Sequence, residues 1–232
     1  MNTASKSKRC LIVGAAPATD TLLRVLLERY TFDCIMAVDG GYQLLDVVGV
    51  KPTIVFGDFD SLGYIPEGET VEVFDTHKDF TDMDWALYKA ETMGFDDVVM
   101  YGGLSGRLDH SVGNLQLMVR SALHGMRVWG ISDNQVVVSL VAPGMLSMLA
   151  FEKGCSGTVS VLSFSDVCTG VTETGFEYGI CDGKCINCAL WGISNELIEQ
   201  YAEIWLEEGS LLVFFPFEVL ENVSYGRDGH RL

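Results

Sequence analysis

The chain has 232 residues, 48% of them hydrophobic and 20% charged, and a net charge of −17 from 32 acidic against 15 basic side chains. That length can bury a proper core in one large domain or two small ones, while so acidic a balance argues against nucleic acid or an anionic membrane as partner, since both need a positive footprint. A local cation and a few basic residues can still override the global field for an anionic nucleotide, and a cationic small molecule would be drawn in.

Met1 to Arg9 is polar, and the apolar run Cys10–Val13 meets a glycine at once, too short for a signal-peptide core. No segment approaches the roughly 18 uninterrupted apolar residues of a membrane span, so a cytoplasmic protein is the expectation. Cys10 to Val13 reads as a first strand, ending in Gly14-Ala-Ala-Pro17. Asp20 to Tyr30 follows as a helix with Leu22, Leu23, Leu26 and Leu27 on one face and Thr19 or Asp20 as N-cap. This is the first unit of a nucleotide-type α/β layer, and its loop could receive a phosphate at the helix N-terminus. Cys34 to Val38 is a second strand ending at Asp39-Gly40-Gly41, and Tyr42 to Val48 reads as helical.

Thr53 to Phe56 is a short buried strand that runs into Gly57-Asp58-Phe59-Asp60-Ser61. If Asp58 and Asp60 stay extended, alternation points both side chains the same way. Two such charges repel unless a cation sits between them, and hard oxygen ligands of this kind suit Mg²⁺, which leaves positions open for water and phosphate. An acidic loop after a strand is the plainer alternative. Asp39 also stands at a strand's carboxyl end, where open parallel sheets bind their ligands.

Val71 to Phe74 reads as another strand. Asp82 to Met93 forms a helix with Trp85, Ala86, Ala90 and Met93 on one face, capped by Thr81, with Asp82 and Asp84 in the first turn complementing its dipole. Lys78, just upstream, is well placed to touch a phosphate. Val98 to Tyr101 is a buried strand running into Gly102-Gly103, and Leu108 to His124 is a helix. Arg107 offers a planar fork for phosphate oxygens, Asp109 could cap the helix or face a metal, and His110 reads first as structural. Arg127 to Ser132 closes the α/β part. Beyond it Gln135–Val141, Met145–Phe151, Gly157–Phe164, Gly170–Tyr178 and Ser210–Phe215 read as short strands, and Glu196–Leu206 as a helix or a distorted strand pair. The expected fold is therefore an α/β domain over 1–132, an open, mainly parallel sheet with helices on both faces, followed by a smaller antiparallel β-sandwich over 133–232. Seven cysteines fit a reducing compartment. Cys181, Cys185 and Cys188, with Cys168 as fourth ligand, could hold zinc, but a loop with incidental thiols is the simpler reading.

Four motifs in order, Val38-Asp39-Gly40-Gly41, Gly57-Asp58-Phe59-Asp60-Ser61, Lys78-Asp79-Phe80-Thr81-Asp82 and Gly102-Gly103-Leu104-Ser105-Gly106-Arg107-Leu108-Asp109-His110, resemble those of the thiamine pyrophosphokinase family over about residues 39–195. The resemblance implies transfer of a diphosphate from ATP to the thiamine hydroxyl with release of AMP. It implies Asp58, Asp60 and Asp82 on Mg²⁺, with Arg107 and Asp109 also catalytic. Asp39, Gly40, Ser61, Lys78 and Thr81 would bind the nucleotide side. It further implies a homodimer whose second domain offers thiamine contacts across the subunit boundary around Ser194-Asn195. That pair could equally be a helix N-cap before Glu196. The chain departs from the family wording at Thr172-Glu-Thr-Gly-Phe176, where Thr-Thr-x-Gly-Leu is expected. The Leu211–Phe217 run is more apolar than a small sandwich face needs, which suggests an added interface, beside the ordinary reading as a core strand. Two rival functions are a Mg-dependent nucleotide pyrophosphohydrolase and a non-catalytic Mg-nucleotide sensor; the full set of acidic and basic motif residues argues against the sensor.

Overall fold

A computed structural model describes residues 8–57, 64, 70–73, 80–132, 134–189 and 191–232. The chain divides into two compact units, residues 1–117 with 128–133, and residues 118–127 with 134–232. In chain order the first contains β1 (Arg9–Val13), α1 (Asp20–Arg29), β2 (Cys34–Val38), α2 (Gly41–Val48), β3 (Ile54–Gly57), β4 (Thr70–Val73), α3 (Asp82–Thr92), β5 (Asp97–Tyr101), the start of α4 (Leu108–Leu123) and most of β6 (Arg127–Ile131).

Its strands lie in the order β6-β5-β1-β2-β3-β4, and the pairs β1–β2, β1–β5, β2–β3 and β3–β4 are all parallel. The strands are continuous apolar runs because a parallel sheet is covered on both faces; Cys10 to Val13 are fully buried. From β1 the chain steps outward through β2, β3 and β4, then returns to place β5 on β1's other side. That reversal opens a crevice beyond the carboxyl ends of β1 and β5, where α/β sheets take their ligands.

The opposite end of the sheet is locked by a buried carboxylate. Asp97 is fully buried, and its oxygens accept from Arg9 Nε at 2.6 Å and from Trp129 Nε1 at 2.8 Å. One side chain thus ties β5 to β1 and β6. Asp97→Ala strands a guanidinium and an indole N–H, and we expect a loss of about 3–5 kcal/mol, read as a lowered urea midpoint.

The helix starts follow their capping residues. Thr19 caps α1 by accepting from Leu22 N, and Thr81 caps α3 by accepting from Asp84 N. The α3 face differs from the expected one: Met83, Ala86, Leu87 and Ala90 are buried, whereas Met93 is 40% exposed. Trp85 instead stacks on Phe80 and donates its indole N–H to Glu72, which also accepts from Lys89.

The second unit is antiparallel. It holds β7 (Gln135–Ala142), β8 (Met148–Phe151), β9 (Ser156–Ser163), β10 (Val167–Thr174), β11 (Ile180–Ile186), β12 (Gly192–Ile198), β13 (Ala202–Trp205), β14 (Gly209–Pro216) and β15 (Val223–Tyr225). They form one layer in the order β12-β9-β14-β7 and another in the order β11-β10-β13-β8-β15. Phe151 of one layer meets Phe215 of the other edge-to-face at 5.5 Å between ring centres, and the Tyr225 hydroxyl donates to the Ser139 carbonyl.

Two alternatives left open by the sequence are decided here for their strand readings, and one expectation, the cysteine loop, is corrected. Residues 196–206 are not helical, and no helix begins after Ser194-Asn195: the segment is β12, a turn and β13, because both strands have buried neighbours to pair with. The cysteine-bearing stretch is not a loop but mostly β11, with Cys185 opposite Cys168 on β10. The Leu211–Phe217 run spends its apolar character on the core: β14 lies between β7 and β9 with Leu211, Leu212, Val213 and Phe215 buried. β15 was not anticipated, since three residues carry too little periodicity to read.

Candidate active site

Beyond the carboxyl ends of β1, β2 and β5 lies a hollow of about 430 Å³, lined among others by Gly14, Asp39, Asp82, Arg107, His110 and Asn114. Two glycine loops build its floor. Gly14 N donates to Tyr101 O at 2.7 Å and Ala16 N to Gly102 O at 2.8 Å. The backbones touch so closely that a Cβ on Gly14 would stand 2.5 Å from Gly102 O, and one on Gly102, whose φ is 70°, 2.6 Å from Gly14 O. Only glycine fits at both places. The buried Tyr101 hydroxyl clamps the same loop from below, accepting from Thr19 N at 2.9 Å and donating to Thr19 O at 2.8 Å. The loop after β1 is thus preorganised rather than slack.

Asp39 follows β2 directly, in the left-handed region at φ 48°, and its N–H donates to Phe56 O at 2.8 Å. That bond keeps the ends of β2 and β3 side by side, so Gly57 lies close to Asp39. Gly40 packs against Ala15: a Cβ there would be 3.3 Å from the Ala15 Cβ. Thr81 lines the hollow too, but its hydroxyl is committed to capping α3. Asp82, the first residue of α3, sits where the dipole favours negative charge.

Arg107 and Asp109 pair with each other. Arg107 Nε and Nη2 donate to the Asp109 carboxylate at 3.2 and 2.6 Å, and both side chains are well exposed. The guanidinium hydrogen bonds hold the Asp109 carboxyl at about 2 and push Arg107 further up. Arg107 lines the hollow; Asp109 stands beside it and does not.

Asn114 had not been singled out. It is buried, donates from Nδ2 to Gly103 O at 2.6 Å, and lines the hollow with Arg107 and His110. The signal was available: Arg107, His110 and Asn114 are spaced three and four apart, one face of a helix. Among the expected site residues, Asp39, Thr81, Asp82 and Arg107 come together here. Asp58, Asp60, Ser61 and Lys78 lie outside the described residues. Among those described, no group of three or more His, Cys, Asp or Glu gathers to hold a metal, around the cysteines or elsewhere.

Ser194 and Asn195 belong to the antiparallel unit. Ser194 is exposed, in the left-handed region at φ 62°, where the register of β12 against β9 shifts. Asn195 is buried and fully engaged. Its Oδ1 accepts from Tyr178 N and Glu196 N at 3.1 and 2.9 Å; its Nδ2 donates to Tyr178 O at 2.8 Å and Glu173 Oε2 at 2.9 Å. Glu173 is one of two residues, with Phe176, at which the chain departs from the family wording. It is 2% exposed, its Oε1 has no hydrogen-bond partner, and burial raises its pKa despite the Asn195 bond. A folded pKa above the unfolded value means stability falls as pH rises through it. We expect Glu173→Gln to raise Tm by several degrees at pH 8, with the gap from wild type closing as pH falls through the raised Glu173 pKa. A gap that does not change with pH would leave Glu173 without that cost.

A family model described as thiamin pyrophosphokinase, catalytic domain, matches residues 27–129. The curated thiamine pyrophosphokinase of Bacillus subtilis is 29% identical over 187 residues, covering 77% of this chain and 85% of that one. The crystal structure of the B. subtilis enzyme superposes with a TM-score of 0.76 at 27% identity, over 90% of this chain and 99% of that one. That of Geobacillus thermodenitrificans gives 0.73 at 26%, over 89% and 96%. The yeast enzyme, at 12% identity, shares the fold with a TM-score of 0.72. Asp39, Asp82, Gly102 and Arg107 of the hollow lie within the span that the family model covers, and Gly14 lies before it. The chain is thus similar over most of its length to thiamine pyrophosphokinases, and its residues 27–129 match the catalytic-domain model of that family.

Proposed function

We propose that the chain transfers the diphosphate of ATP to the hydroxyl of thiamine, giving thiamine diphosphate and AMP. The observation that carries this reading is the convergence of Asp39, Asp82 and Arg107 on one hollow at the β1/β5 crevice, in a chain similar over most of its length to thiamine pyrophosphokinases. The hydroxyl oxygen bonds to the β-phosphorus as the bond to the α-phosphate oxygen breaks; the hydroxyl proton passes to solvent, and AMP leaves with the electron pair. Such transfer asks the protein for in-line positioning and charge compensation rather than covalent work.

The chain's own groups divide that task. The close-packed loops at Gly14 and Gly102 let phosphate approach the backbone. Arg107 exchanges its Asp109 partner for phosphate oxygens, and Lys78 adds a second cation. Gly40, Ser61 and Thr81 complete the nucleotide wall, with Asp109 returning to hold Arg107 after release. Asp82 and Asp39 are hard oxygen donors in one hollow, a set that suits Mg²⁺ together with Asp58 and Asp60. When bound, the ion neutralises charge on the phosphate oxygens. Residues 1–132 form the ATP and Mg²⁺ domain, with helices on both faces of its sheet; residues 133–232 form a β-sandwich for thiamine and for dimerisation in a cytoplasmic homodimer. Ser194 meets the acceptor, and Asn195 holds Ser194 and the Tyr178 backbone in place.

Incubation with ATP and Mg²⁺, with and without thiamine, tests the reading: AMP must form only when thiamine is present. AMP without thiamine would mark a pyrophosphohydrolase, and none in either tube a sensor. Arg107→Lys, which keeps the charge and loses the fork, should lower kcat/KM by roughly tenfold or more. Unchanged kinetics would reduce Arg107 to a surface partner of Asp109.

A further inference from the structure

The antiparallel unit carries a second concave surface, a groove of about 620 Å³ far richer in positive charge than its surroundings. Residues 134–232 contain thirteen carboxylates and four Lys or Arg side chains. Three of those four, Lys153, Arg227 and Arg231, line this one groove, whose sole carboxylate is Glu152. In so acidic a segment, cations relax toward carboxylates wherever the chain allows. Here Arg231 does so, pairing with Glu152, and Arg227 and Lys153 do not. Arg227 Nε donates to Ser147 Oγ at 2.8 Å, which fixes the guanidinium plane and leaves its Nη groups for a ligand.

The floor explains why the groove is open. β8 pairs with β15 so that Ala150 lies opposite Ser224, small side chains that leave room between the walls. Gly226, at φ 93°, turns the chain so that Arg227 and Arg231 follow along one edge. Tyr201 stands at the other edge, 54% exposed, its hydroxyl committed to Glu203. The result is a floor of small residues, a cluster of cations with one fixed fork, and a free aromatic face. A guanidinium fork matches phosphate oxygens, and the concavity is that of a small-molecule site.

We infer that this groove binds a small phosphorylated anion, its phosphoryl oxygens on Arg227 and Lys153 and any ring it carries against Tyr201. The site is separate from the hollow at the β1/β5 crevice and shares no residue with it.

Isothermal titration of the full chain in EDTA, with inorganic pyrophosphate as probe, decides the matter. Wild type and Arg107→Gln, which removes the candidate active-site fork, must both bind the probe. The double variant K153Q/R227Q must lose at least about tenfold in affinity for the groove site while keeping wild-type melting behaviour and thiamine-dependent AMP release. Binding that survives K153Q/R227Q and vanishes in Arg107→Gln overturns the inference, as does a wild type that takes up no probe. Repeating the titration with inorganic phosphate and with AMP identifies the source of the phosphoryl group. Tighter AMP binding that Tyr201→Ala abolishes means a phosphate ester with a ring; equal binding means the phosphoryl group alone.

Discussion

Asp58→Asn and Asp60→Asn should each leave a folded protein that releases no thiamine-dependent AMP, a loss of roughly a hundredfold to a thousandfold or more. β2 and β3 run parallel with Val38 opposite Phe56, and Asp39 N donates to Phe56 O, so the chain passes Gly57 beside Asp39 at the edge of the hollow. Asp58 is the next residue. If the chain continues extended, Asp58 and Asp60 face one side and would add two carboxylates to Asp39 and Asp82. Four such charges at one strand-end crevice favour a hard dication and repel one another without it. Each Asn variant should therefore hold or raise Tm in EDTA, and lose the further rise that wild type shows with ATP and Mg²⁺. Near-normal turnover in either purified variant removes these residues from the metal set.

The parallel half was the more legible in the sequence, for a physical reason. Buried strands such as Cys10–Val13 and Val98–Tyr101 are unbroken apolar runs ending at glycine, and α1 and α3 carry capping threonines at the start of their first turns. The antiparallel half resisted reading where tertiary partners decide. Glu196 to Leu206 has enough Leu, Ile and Trp for a helix, yet β9 and β8 claim it strand by strand. The cysteine-bearing stretch reads as a loop until Cys185 is placed opposite Cys168. At the candidate site, residue type was readable and role was not. Asn195 looks like a ligand in sequence, but it has spent every hydrogen-bonding group of its side chain on its own fold. Asn114 carried only a spacing signal, which gains meaning once α4 brings it to the same hollow as Arg107, just before the helix start.

Refolding a mixture of two inactive chains should restore activity if the proposed homodimer shares its sites. One chain carries Asp58→Asn on the phosphate side. The other must block the acceptor side, and the structure decides which residue to use. Asn195 is unsuitable, since a Trp there abandons four hydrogen bonds, one buried and three part-buried, and would disturb the fold along with the site. Ser194 is exposed on the same strand, so Ser194→Trp obstructs the surface without emptying the core. Tyr178 and Ile193 near it are 69% and 47% exposed, and Trp191 68%, an apolar concentration of the kind that a second subunit or a flat ring covers. In a two-fold dimer that joins the ATP half of one chain to the acceptor half of its partner, a mixed pair holds one doubly broken site and one intact site. Random pairing makes half the dimers mixed, so about one quarter of wild-type activity should return. Each variant refolded alone stays inactive. A mixture that also stays inactive, though mixed dimers are verified by differential tagging, places the whole site within a single chain.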